Sequence, residues 1–595
     1  MSSYEALKTL ADSRWAELTE GSVPWIKIGM SMCCGQASGA YETLDAIKEA
    51  LSSDRIEANI SEVGCLGICY ASPVVDILVP NQHRAVYGNV TADLVADLID
   101  KCLNQGKIPK KNLLGVVNVG GNNKLNGLPE FNELPQIKLQ NRIALRNAGH
   151  IDPKDIYQYI AQGGYTGFNR ALTELKPEDV IEEVKSSGLR GRGGAAFPTG
   201  VKWSFMTRGE KPKYILCNCE EGDPGAFNDK SILESDPYTT IEGMTIAAYA
   251  TGSTNGIIFI RHGHDGPINT TEDAIKQVYE AGLLGKNILG SDFSFDLEVS
   301  LTGESYVAGE ETALMEAVEG KRSMPRARPP FPAAYGVWGR PSTINNVKSL
   351  SYAPSILEHG SEWFSSIGVN KSTGTAIICL SGNIKYPGLY EVPMGLTIGD
   401  VIDSIGGGVP KGRKLKMLQT GGPLGGVLSS DSLGITLDFD EMRDAGAILG
   451  SGGIIVADDR TCAVDLTRIL VAFCQFESCG KCFPCRLGTT NLLEIVERMA
   501  SNKAKLGDVQ LMKQIGQTMQ AGSLCGHGQL GFNPIDSAMK HFQEDWSACV
   551  DEGKCLTGSC NKPYFTPINT RPFADAPIKN TVPIHIANQV GEKHE

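Results

Sequence analysis

The sequence lacks any uninterrupted apolar run of about 18 residues, so it predicts no transmembrane helix. Segment 1–25 contains Glu5, Asp12, Glu17 and Glu20 and has no apolar centre, which is not the pattern of a secretory signal peptide. An excess of positive charge is also absent, because the formal net charge is −13. Phosphate binding needs a local excess of Lys and Arg. We therefore expect a cytoplasmic protein with no membrane span and no nucleic-acid partner.

The composition is that of a folded, multidomain protein. The 595 residues are enough for about four domains of ordinary size. Hydrophobic residues make up 41% and charged residues 21%, which are globular values. Seventeen cysteines are many for a compartment in which thiols stay reduced. Where the spacing is right, metal or cluster ligation is therefore favoured over disulfides.

Hydrophobic periodicity predicts several α/β and α+β units rather than one repeated fold. The first unit has predicted strands at 26–30 and 73–79 and predicted helices at 41–51 and 92–103. A polar, Gly/Asn-rich connector follows it. The predicted division is 24–105, a small α/β domain; 106–147, a linker; 148–360, a layered α/β domain; 370–457, a small α+β domain; 458–550, a helical domain; and 551–595, a C-terminal arm.

The run ESCGKCFPCR places Cys479, Cys482 and Cys485 in a C-x2-C-x2-C pattern. Three thiolates at this spacing can surround one face of a cubane cluster, because the loop between them is short enough to turn around it. Cys525 in GSLCGHG is the candidate fourth ligand, since the predicted helical segment 493–519 brings the chain back. A structural zinc site is the alternative, because C-x2-C also binds zinc. Three close cysteines and a remote fourth favour [4Fe–4S].

Residues 188–203 (GLRGRGGAAFPTGVKW) form a glycine-rich loop. The preceding segment is predicted to be helical, so this is not the strand-to-helix turn of a Rossmann fold. Glycine nevertheless lets the backbone approach a ring or a phosphate closely. Arg192 and Lys202 add positive charge for a phosphate, and Phe197 and Phe205 are able to stack on an adenine or a flavin. A tight surface turn with core aromatics explains these residues equally well.

Two further loops of the same region carry clustered acidic residues. They are CNCEEGDPGAFNDK at 217–230 and GESYVAGEETALM at 303–315. Carboxylates accept hydrogen bonds from ribose or ribityl hydroxyls, whereas a solvated acidic loop is the alternative for either segment alone. Together with the glycine-rich loop they favour a dinucleotide or flavin pocket. The candidates are Asn218, Glu220, Glu221, Asp223, Tyr306, Glu310 and Glu311.

Five motifs in a fixed order resemble one known family. GRGGAAFPTG, NCEEGDPGAFNDK, AGEETALMEAVEG, PRARPPFPAAYGVWGRPSTINNV and ESCGKCFPCR are similar to those of the NADH-binding subunit of respiratory complex I and its soluble relatives. Those relatives include the diaphorase subunits of NAD-linked hydrogenases and formate dehydrogenases. The resemblance covers residues 140–550.

The resemblance implies a cofactor set and its contacts. The adenine of NAD(H) would lie between Phe197, Phe205 and Phe331, and Asp223 would lie near the ribose. Residues 370–457 would form a ubiquitin-like SLBB domain. A hydride would pass to FMN, which releases electrons singly to the cluster, with no side chain acting as acid or base. FMN would be bound by Gly191, Arg192, Gly193, Gly194, Lys202, Asn218, Glu220, Glu221, Tyr306, Gly309, Glu310, Glu311, Asn345 and Asn346.

The chain departs from the family pattern at three places. Ala196 stands where the family usually has a second glycine, and Asp223 replaces a glutamate. The stretch before Tyr306 reads TGES. The first two departures leave the choice between NAD and NADP open.

The N-terminal unit resembles the thioredoxin-like ferredoxin domain that bifurcating hydrogenases fuse to this subunit. The family pattern is C-x4-C followed by C-x3-C, and Cys65 and Cys69 match its second half. In the first half Cys33 and Cys34 are adjacent, and Ser38 stands where the second cysteine would be. A [2Fe–2S] cluster needs four ligands. Both a [2Fe–2S] site with Cys34, Cys65 and Cys69 and a cluster-free domain are consistent with this pattern.

Four more cysteines near the C-terminal end suggest a second metal site. Cys549, Cys555 and Cys560 are close in sequence, and Cys462 begins the helix that leads to the cubane motif. Four converging thiolates would make a tetrahedral, structural zinc site. The alternative is a remnant of a lost ferredoxin extension. His527, beside the cubane motif, is expected to be a surface histidine.

The leading functional prediction is a diaphorase subunit in a soluble hydrogenase or formate dehydrogenase. Its expected partners are a thioredoxin-like [2Fe–2S] subunit, a catalytic subunit with several iron–sulfur clusters, NAD(H) and, if the complex bifurcates electrons, ferredoxin. The alternatives are the peripheral arm of a quinone reductase and a non-catalytic iron–sulfur scaffold.

Overall fold

Three sheets of four or five strands organise the part of the chain that the computed structural model describes, which is residues 3–119, 125, 127–206 and 211–560. Most of the predicted arm 551–595 lies outside these residues, since the description ends at 560. No helix of the described part is both long and apolar enough to cross a bilayer.

The N-terminal sheet has five strands and one parallel pair. The predicted strands and helices of this region are present, the second helix continuing as a π turn at Asp100–Asn104, and an additional helix, Ser3–Glu20, precedes them. The helices Ala40–Asp54 and Ala92–Ile99 pack on each other and on the sheet. In spatial order the strands are Asn59–Val63, Trp25–Gly29, Val75–Val79, His83–Tyr87 and Leu113–Asn118, the first two parallel and the rest antiparallel.

The prediction that 106–147 is only a linker is wrong. Strand Leu113–Asn118 pairs antiparallel with His83–Tyr87, so it completes the N-terminal sheet. Its residue Val116 is buried in the same core as the helices. The Gly/Asn-rich run that suggested a connector begins only after this strand, and a short helix, Pro135–Lys138, follows.

The central sheet is parallel throughout, which explains its continuous apolar strands. In IIFI at 257–260 all four residues are buried, as expected for a sheet covered on both faces. In spatial order its strands are Asp296–Thr302, Asn255–Arg261, Tyr214–Cys219 and Ser342–Asn346. The helices of this region are Ile156–Ala161, Thr166–Glu174, Pro177–Ser186, Thr199–Ser204, Asn228–Ser235, Pro237–Thr251, Asp265–Glu280, Glu311–Val318, Val347–Ser351, Ala353–His359 and Ser361–Ser365.

The third sheet belongs to the small α+β unit. Its strands in spatial order are Gly388–Pro393, Thr375–Gly382, Gly453–Asp458, Leu415–Thr420 and Val427–Ser429. A two-stranded ribbon, Gly368–Val369 with Ser372–Thr373, precedes it, and the predicted helix near 398–404 is a π turn at Asp400–Ile405. Along the chain, a helix, Phe439–Asp444, lies between strands Val427–Ser429 and Gly453–Asp458.

Glu391 joins this small sheet to the rest of the molecule. The side chain is fully buried and accepts hydrogen bonds from the backbone N–H groups of Ile143, Ala144 and Leu145 at 2.9, 3.1 and 2.8 Å. The Thr375 hydroxyl donates to the same carboxylate. A buried carboxylate is tolerated where donors surround it, so these bonds fix segment 143–145 against the sheet.

The C-terminal region is helical, as predicted. The predicted continuous helix at 493–519 is two helices, with a turn between Ala500 and Asp508. Buried apolar side chains from these helices form one core with residues of the small sheet. The helices are Ala463–Phe476, Phe483–Ala500, Asp508–Gly522, Gly526–Gln529, Asn533–His541 and Gln543–Asp551.

Candidate functional site

The predicted pocket residues collect at the carboxyl ends of the parallel strands. Asn218 and Glu220 lie at the end of Tyr214–Cys219, and Asn345 and Asn346 end the neighbouring strand. Tyr306 follows the strand at the other side of the sheet. In open parallel sheets this edge is where ligands bind.

The glycine-rich loop is a narrow hairpin above this edge. Its base is closed by hydrogen bonds from the Gly191 N–H to the Phe197 carbonyl (2.8 Å) and from the Thr199 N–H to the Leu189 carbonyl (2.9 Å). A Cβ on Gly193 would come within 3.0 Å of Asn346 Cβ, so the loop approaches the strand end so closely that a side chain would require Asn346 to shift by a few tenths of an ångström. The loop therefore leaves backbone surface at the edge of the sheet, as a flat ring or a phosphate requires.

Arg192 has a different role from the one predicted. Its guanidinium is buried and donates to the carbonyls of Arg190, Thr373 and Thr375 at 2.6, 2.6 and 3.1 Å. Its backbone N–H donates to the Ser349 hydroxyl. The prediction that this guanidinium supplies charge to a phosphate is therefore wrong, because its donors are used to anchor the loop.

Lys202 faces the edge with an acidic partner. Its Nζ donates to Glu311 (2.9 Å) and to the Ile344 carbonyl (2.6 Å). Arg328 also pairs with Glu311 at 2.7 Å, and these cations lower the pKa of that carboxyl against the effect of burial. Glu310 caps helix Glu311–Val318 by accepting from two backbone N–H groups. The two acids are thus held in place by cations and a helix end.

Glu220 and Glu221 are bound internally. Glu220 is buried, pairs with Arg261 at 2.6 Å and accepts the Gly222 N–H. Glu221 accepts the N–H groups of Asp229 and Lys230 at 2.8 Å, at the start of helix Asn228–Ser235. Burial raises the pKa of each carboxyl to about 7. Both therefore shape the loop from within.

Asp223 retains an oxygen without a donor. Its Oδ2 accepts from the Ser451 hydroxyl at 2.6 Å, whereas its Oδ1 is buried and has no hydrogen-bond partner. Burial raises the pKa of this carboxyl to about 6. A buried acceptor without a donor is costly, and a sugar hydroxyl would satisfy it. Among the acids of this loop, Asp223 fits a ribose best.

Amide side chains complete the pocket floor. Asn218 donates to the Gly309 carbonyl (2.8 Å), and Asn345 accepts from the Trp203 indole (3.1 Å). Asn346 donates to Asp229 and caps the helix that follows. A Cβ on Gly309 would come within 3.1 Å of Glu220 Oε2, so a side chain there would require the Glu220 carboxyl to shift by a few tenths of an ångström.

Exposed aromatic rings border the same edge. Phe197 and Phe205 are 47% and 56% exposed, and their ring centroids lie 6.3 Å apart. Phe331, 60% exposed, follows Arg328, whose contact with Glu311 places this segment near Lys202. Phe197 and Phe205 form a pair of neighbouring exposed rings, which is a surface that a flat ligand can cover.

The four predicted cubane ligands line one cavity of the helical region. Cys479 and Cys482 lie in the loop before helix Phe483–Ala500, Cys485 lies in its first turn, and Cys525 precedes a short helix. No three of these four described sulfurs lie within 4.8 Å of one another. Thiolates that each bind a different iron of a cubane must stay apart, so this arrangement fits a [4Fe–4S] cluster.

The cysteine cavity and the carboxyl edge of the central sheet share a wall. The cavity is also lined by Val307 and Pro325 of the central domain. Glu477 accepts the Tyr306 N–H at 2.9 Å, and Lys481 donates to the Pro325 carbonyl at 2.7 Å. The predicted cluster site and the predicted flavin pocket therefore lie on either side of the short segment that contains Tyr306 and Val307.

His527 belongs to this wall, so the prediction that it is a surface histidine is wrong. It is 6% exposed, lines the cysteine cavity and contacts the Cys474 carbonyl through Nε2 at 2.8 Å. Its ring lies 5.7 Å from that of Tyr306. Helix Gly526–Gln529 turns it inward, which adjacency to Cys525 alone does not reveal.

In the N-terminal unit the structure brings three cysteines together. The Sγ atoms of Cys34, Cys65 and Cys69 all lie within 4.8 Å of one another, whereas Cys33 is exposed and outside the group. A [2Fe–2S] cluster takes two thiolates on each iron, and its core separates the two pairs. Three mutually close sulfurs without a fourth thiolate do not fit that cluster.

The C-terminal cysteines form a second group of three. Cys462, Cys555 and Cys560 have sulfurs within 4.8 Å of one another. Cys549, predicted to complete a set of four, instead contacts the Met499 carbonyl at 2.9 Å. Burial, followed by the charges of Cys462 and Cys555, raises the pKa of Cys549 to about 11, and its sulfur is not one of the three that lie within 4.8 Å of one another.

Comparison with known proteins matches three regions of the chain to family profiles. Residues 184–355 match the Nuo51 FMN-binding domain, 377–428 match the SLBB domain, and 465–549 match the NADH-ubiquinone oxidoreductase-F iron-sulfur binding region. These regions contain the glycine-rich loop, most of the small sheet without its strand Gly453–Asp458, and the cubane cysteines respectively.

Full-length relatives give the same result. The NADP-reducing hydrogenase subunit HndC of Solidesulfovibrio fructosivorans is 44% identical over 424 residues, which are 71% of this chain and 86% of that protein. An NADH-quinone oxidoreductase subunit of Rhizobium meliloti is 40% identical over 69% of this chain and 98% of its own length. A chain of an NAD+-reducing [NiFe]-hydrogenase in the H2-reduced state superposes with a TM-score of 0.62 at 25% identity, covering 92% of this chain and 90% of that chain.

Proposed function

Because the chain belongs to the family of FMN- and NADH-binding subunits of complex I and its hydrogenase relatives, we propose that it exchanges electrons between NAD(H), FMN and a [4Fe–4S] cluster bound by Cys479, Cys482, Cys485 and Cys525. The observation that carries the proposal is the wall shared by the strand edge and the cysteine cavity. Electrons can pass between two redox groups only when little protein separates them, and here one segment around Tyr306 does.

The residues of the strand edge would hold and orient the flavin. FMN, when bound, supplies the chemistry that side chains lack, because it takes a hydride from NAD(H) and releases electrons one at a time. The backbone of Gly191, Gly193 and Gly194 would lie against the ring, and Lys202 would face its phosphate. Arg192 anchors this loop from behind. Positioning two rings against each other is the contribution required of the protein.

NAD(H) would be recognised at the exposed rim of the same pocket. Phe197, Phe205 and Phe331 offer rings for the adenine at this rim, and Asp223 Oδ1, which is buried and has no donor, would accept a hydrogen bond from a ribose hydroxyl inside the pocket. A 2′-phosphate would place negative charge against this carboxylate, so Asp223 favours NAD over NADP.

The electron partner that we propose is a hydrogenase-type complex rather than a quinone reductase. In sequence the hydrogenase subunit HndC is 44% identical over 71% of this chain and the Rhizobium meliloti quinone oxidoreductase subunit is 40% identical over 69%, and a hydrogenase chain superposes on 92% of this chain. The remaining subunits would be a thioredoxin-like [2Fe–2S] protein and a catalytic subunit of hydrogenase or formate dehydrogenase type. Bifurcation between NAD(H) and ferredoxin is the narrower form of this proposal, tested by ferredoxin-dependent hydrogen formation from NADH.

The remaining regions have proposed supporting roles. The N-terminal sheet, with one parallel pair and two helices packed together, is consistent with a thioredoxin-like fold over 24–105 extended by strand Leu113–Asn118. We propose that Cys462, Cys555 and Cys560 bind a structural zinc ion, since three sulfurs at this distance suit a tetrahedral site. The unpaired state of all seventeen cysteines supports a reducing, cytoplasmic location.

Reduction by NADH tests the proposal. The purified chain, loaded with FMN and cluster, should lose its flavin absorbance when NADH is added anaerobically. Asp223→Asn should raise the KM for NADH about tenfold, as expected for losing about 1.4 kcal/mol of binding, with less effect on kcat. Asp273→Asn, an exposed acid on helix Asp265–Glu280, is the matched control. Dye reduction by NADH without flavin bleaching would contradict the proposal.

A further inference from the structure

The three N-terminal cysteines have the spacing of ligands to one metal ion. With metal–sulfur bonds of about 2.3 Å, the sulfurs of a tetrahedral site lie about 3.8 Å apart. The Sγ atoms of Cys34, Cys65 and Cys69 satisfy this, all lying within 4.8 Å of one another, whereas the four cubane cysteines do not. The two sets are thus distinguished by sulfur geometry within one chain.

Hydrogen bonds around these sulfurs suit thiolates. The Gly67 N–H donates to Cys65 Sγ at 3.2 Å, and the Ser31 hydroxyl lies 3.3 Å from Cys34 Sγ. Donors directed at ligand atoms are typical of metal–thiolate sites.

The loops that carry these cysteines are fixed to two other parts of the molecule. The Cys65 N–H donates to the Ser235 hydroxyl at 2.9 Å, and the Leu389 N–H donates to the Gly67 carbonyl at 2.8 Å. Gly67 has φ +88°, and a Cβ there would lie 2.2 Å from the Leu389 carbonyl oxygen. The cysteine group therefore lies where the N-terminal, central and small sheets meet.

We propose that Cys34, Cys65 and Cys69 bind a single divalent ion of the zinc class, with an oxygen ligand in the fourth position, and that this ion fixes the N-terminal unit to the flavin domain. The ion has no redox role. It holds loops 31–35 and 64–69 together, and these loops contact helix Asn228–Ser235, whose first turn binds Glu221. The site is independent of the proposed flavin and cubane chemistry.

Metal analysis of the full chain tests this proposal. Wild type, purified without chelator, should contain about two zinc and about four iron atoms, counting the proposed C-terminal zinc. Cys69→Ser should lose one zinc and no iron, and Cys102→Ser, a buried thiol outside both groups, should lose neither. Loss of two irons in Cys69→Ser would show a [2Fe–2S] cluster and overturn the proposal.

A second measurement covers the case in which Cys69→Ser does not fold. Cys555→Ser removes the C-terminal group and leaves the N-terminal cysteines intact. Zinc X-ray absorption on this variant should show three sulfur ligands at about 2.3 Å and one lighter ligand. Absence of zinc in a Cys555→Ser protein that retains FMN and cluster would refute the N-terminal site while leaving the proposed function standing.

Discussion

The cubane cysteines and the N-terminal cysteines both come from short loops, yet their sulfurs are arranged differently. Around Cys479 the sulfurs are spread over the walls of a cavity, whereas those of Cys34, Cys65 and Cys69 lie together. A cluster occupies the space between its ligands, and a single ion draws its ligands inward. On these two proposals, sulfur separation would distinguish the electron-carrying site from the structural site better than the number of cysteines in each motif.

The two sites also differ in how they are joined to the flavin domain. The cubane loop contacts the segment next to the carboxyl edge of the central sheet, through Glu477 and Lys481. The N-terminal loops contact the far end of a helix, where Glu234 accepts the Met32 N–H at 2.7 Å. We therefore expect changes at the first site to affect electron transfer and changes at the second to affect stability.

The largest effect is expected from Cys482→Ser. Without one of its four thiolates the cluster should be lost, removing about four iron atoms per chain. NADH should still bleach FMN, but viologen reduction should fall to background because electrons have no exit. Iron content and anaerobic absorbance measure both effects. Equal loss of viologen reduction in Cys69→Ser would erase the proposed distinction between the two sites.

A smaller effect is expected from Glu477→Ala. This change removes the acceptor of the Tyr306 N–H, and a hydrogen bond to a charged group contributes about 1.5–3 kcal/mol. We expect faster amide hydrogen exchange over 303–310 and slower cluster reduction in stopped-flow experiments. Glu477→Gln keeps an acceptor oxygen, so its rates of amide exchange and of cluster reduction should lie between those of Glu477→Ala and wild type. Unchanged exchange in Glu477→Ala would argue against the shared wall.

Glu234 should make the N-terminal contact depend on pH. Burial raises its pKa from 4.5 to about 7. Because the folded pKa is raised, its contribution to stability is full below about pH 4.5 and is lost as the pH rises through 7, by about 1–3 kcal/mol. Wild-type Tm should therefore fall between pH 5 and 8 more than the Tm of Glu234→Gln. If the Tm of wild type and the Tm of Glu234→Gln changed equally with pH, Glu234 would not be the group responsible for the pH dependence.

The smallest effect is expected from His527→Leu. The substitution loses the contact with the Cys474 carbonyl but also removes a buried Nδ1 that has no partner. Losing the contact destabilises the fold and removing the unpaired Nδ1 stabilises it, so we expect the free energy of unfolding to change by about 1 kcal/mol or less. Chemical denaturation and iron content should both stay near wild type. Loss of iron would instead show that His527 supports the cluster.

Much of the fold and the cubane site could be predicted because their signals are local. The C-x2-C-x2-C spacing predicted three ligands, which the structure places around one cavity, and the apolar run at 257–260 predicted a strand that is buried. At the N-terminal site the sequence named Cys34, Cys65 and Cys69 but left open whether they bind a [2Fe–2S] cluster or no cluster at all. The folded turn exposes Cys33 and directs Cys34 inward.

Other features depended on contacts between distant residues. Arg192 has the residue type of a phosphate ligand, but carbonyls of residues 373 and 375 take its donors. Asp223 resembled its acidic neighbours in sequence, and only Ser451, more than 200 positions away, shows which of its oxygens is left without a donor. Residue type suggested both positions, and tertiary packing decided their roles.

The buried carboxylate of Glu391 limits which parts of the molecule can move during turnover. Its three bonds to the backbone at 143–145 would all have to break for the small sheet to swing away from the central domain, whereas its bond to Thr375 lies within the small sheet. Such a rupture would leave a buried carboxyl without most of its donors. We expect these two sheets to travel as one rigid body, with any hinge confined to the helices beyond residue 458.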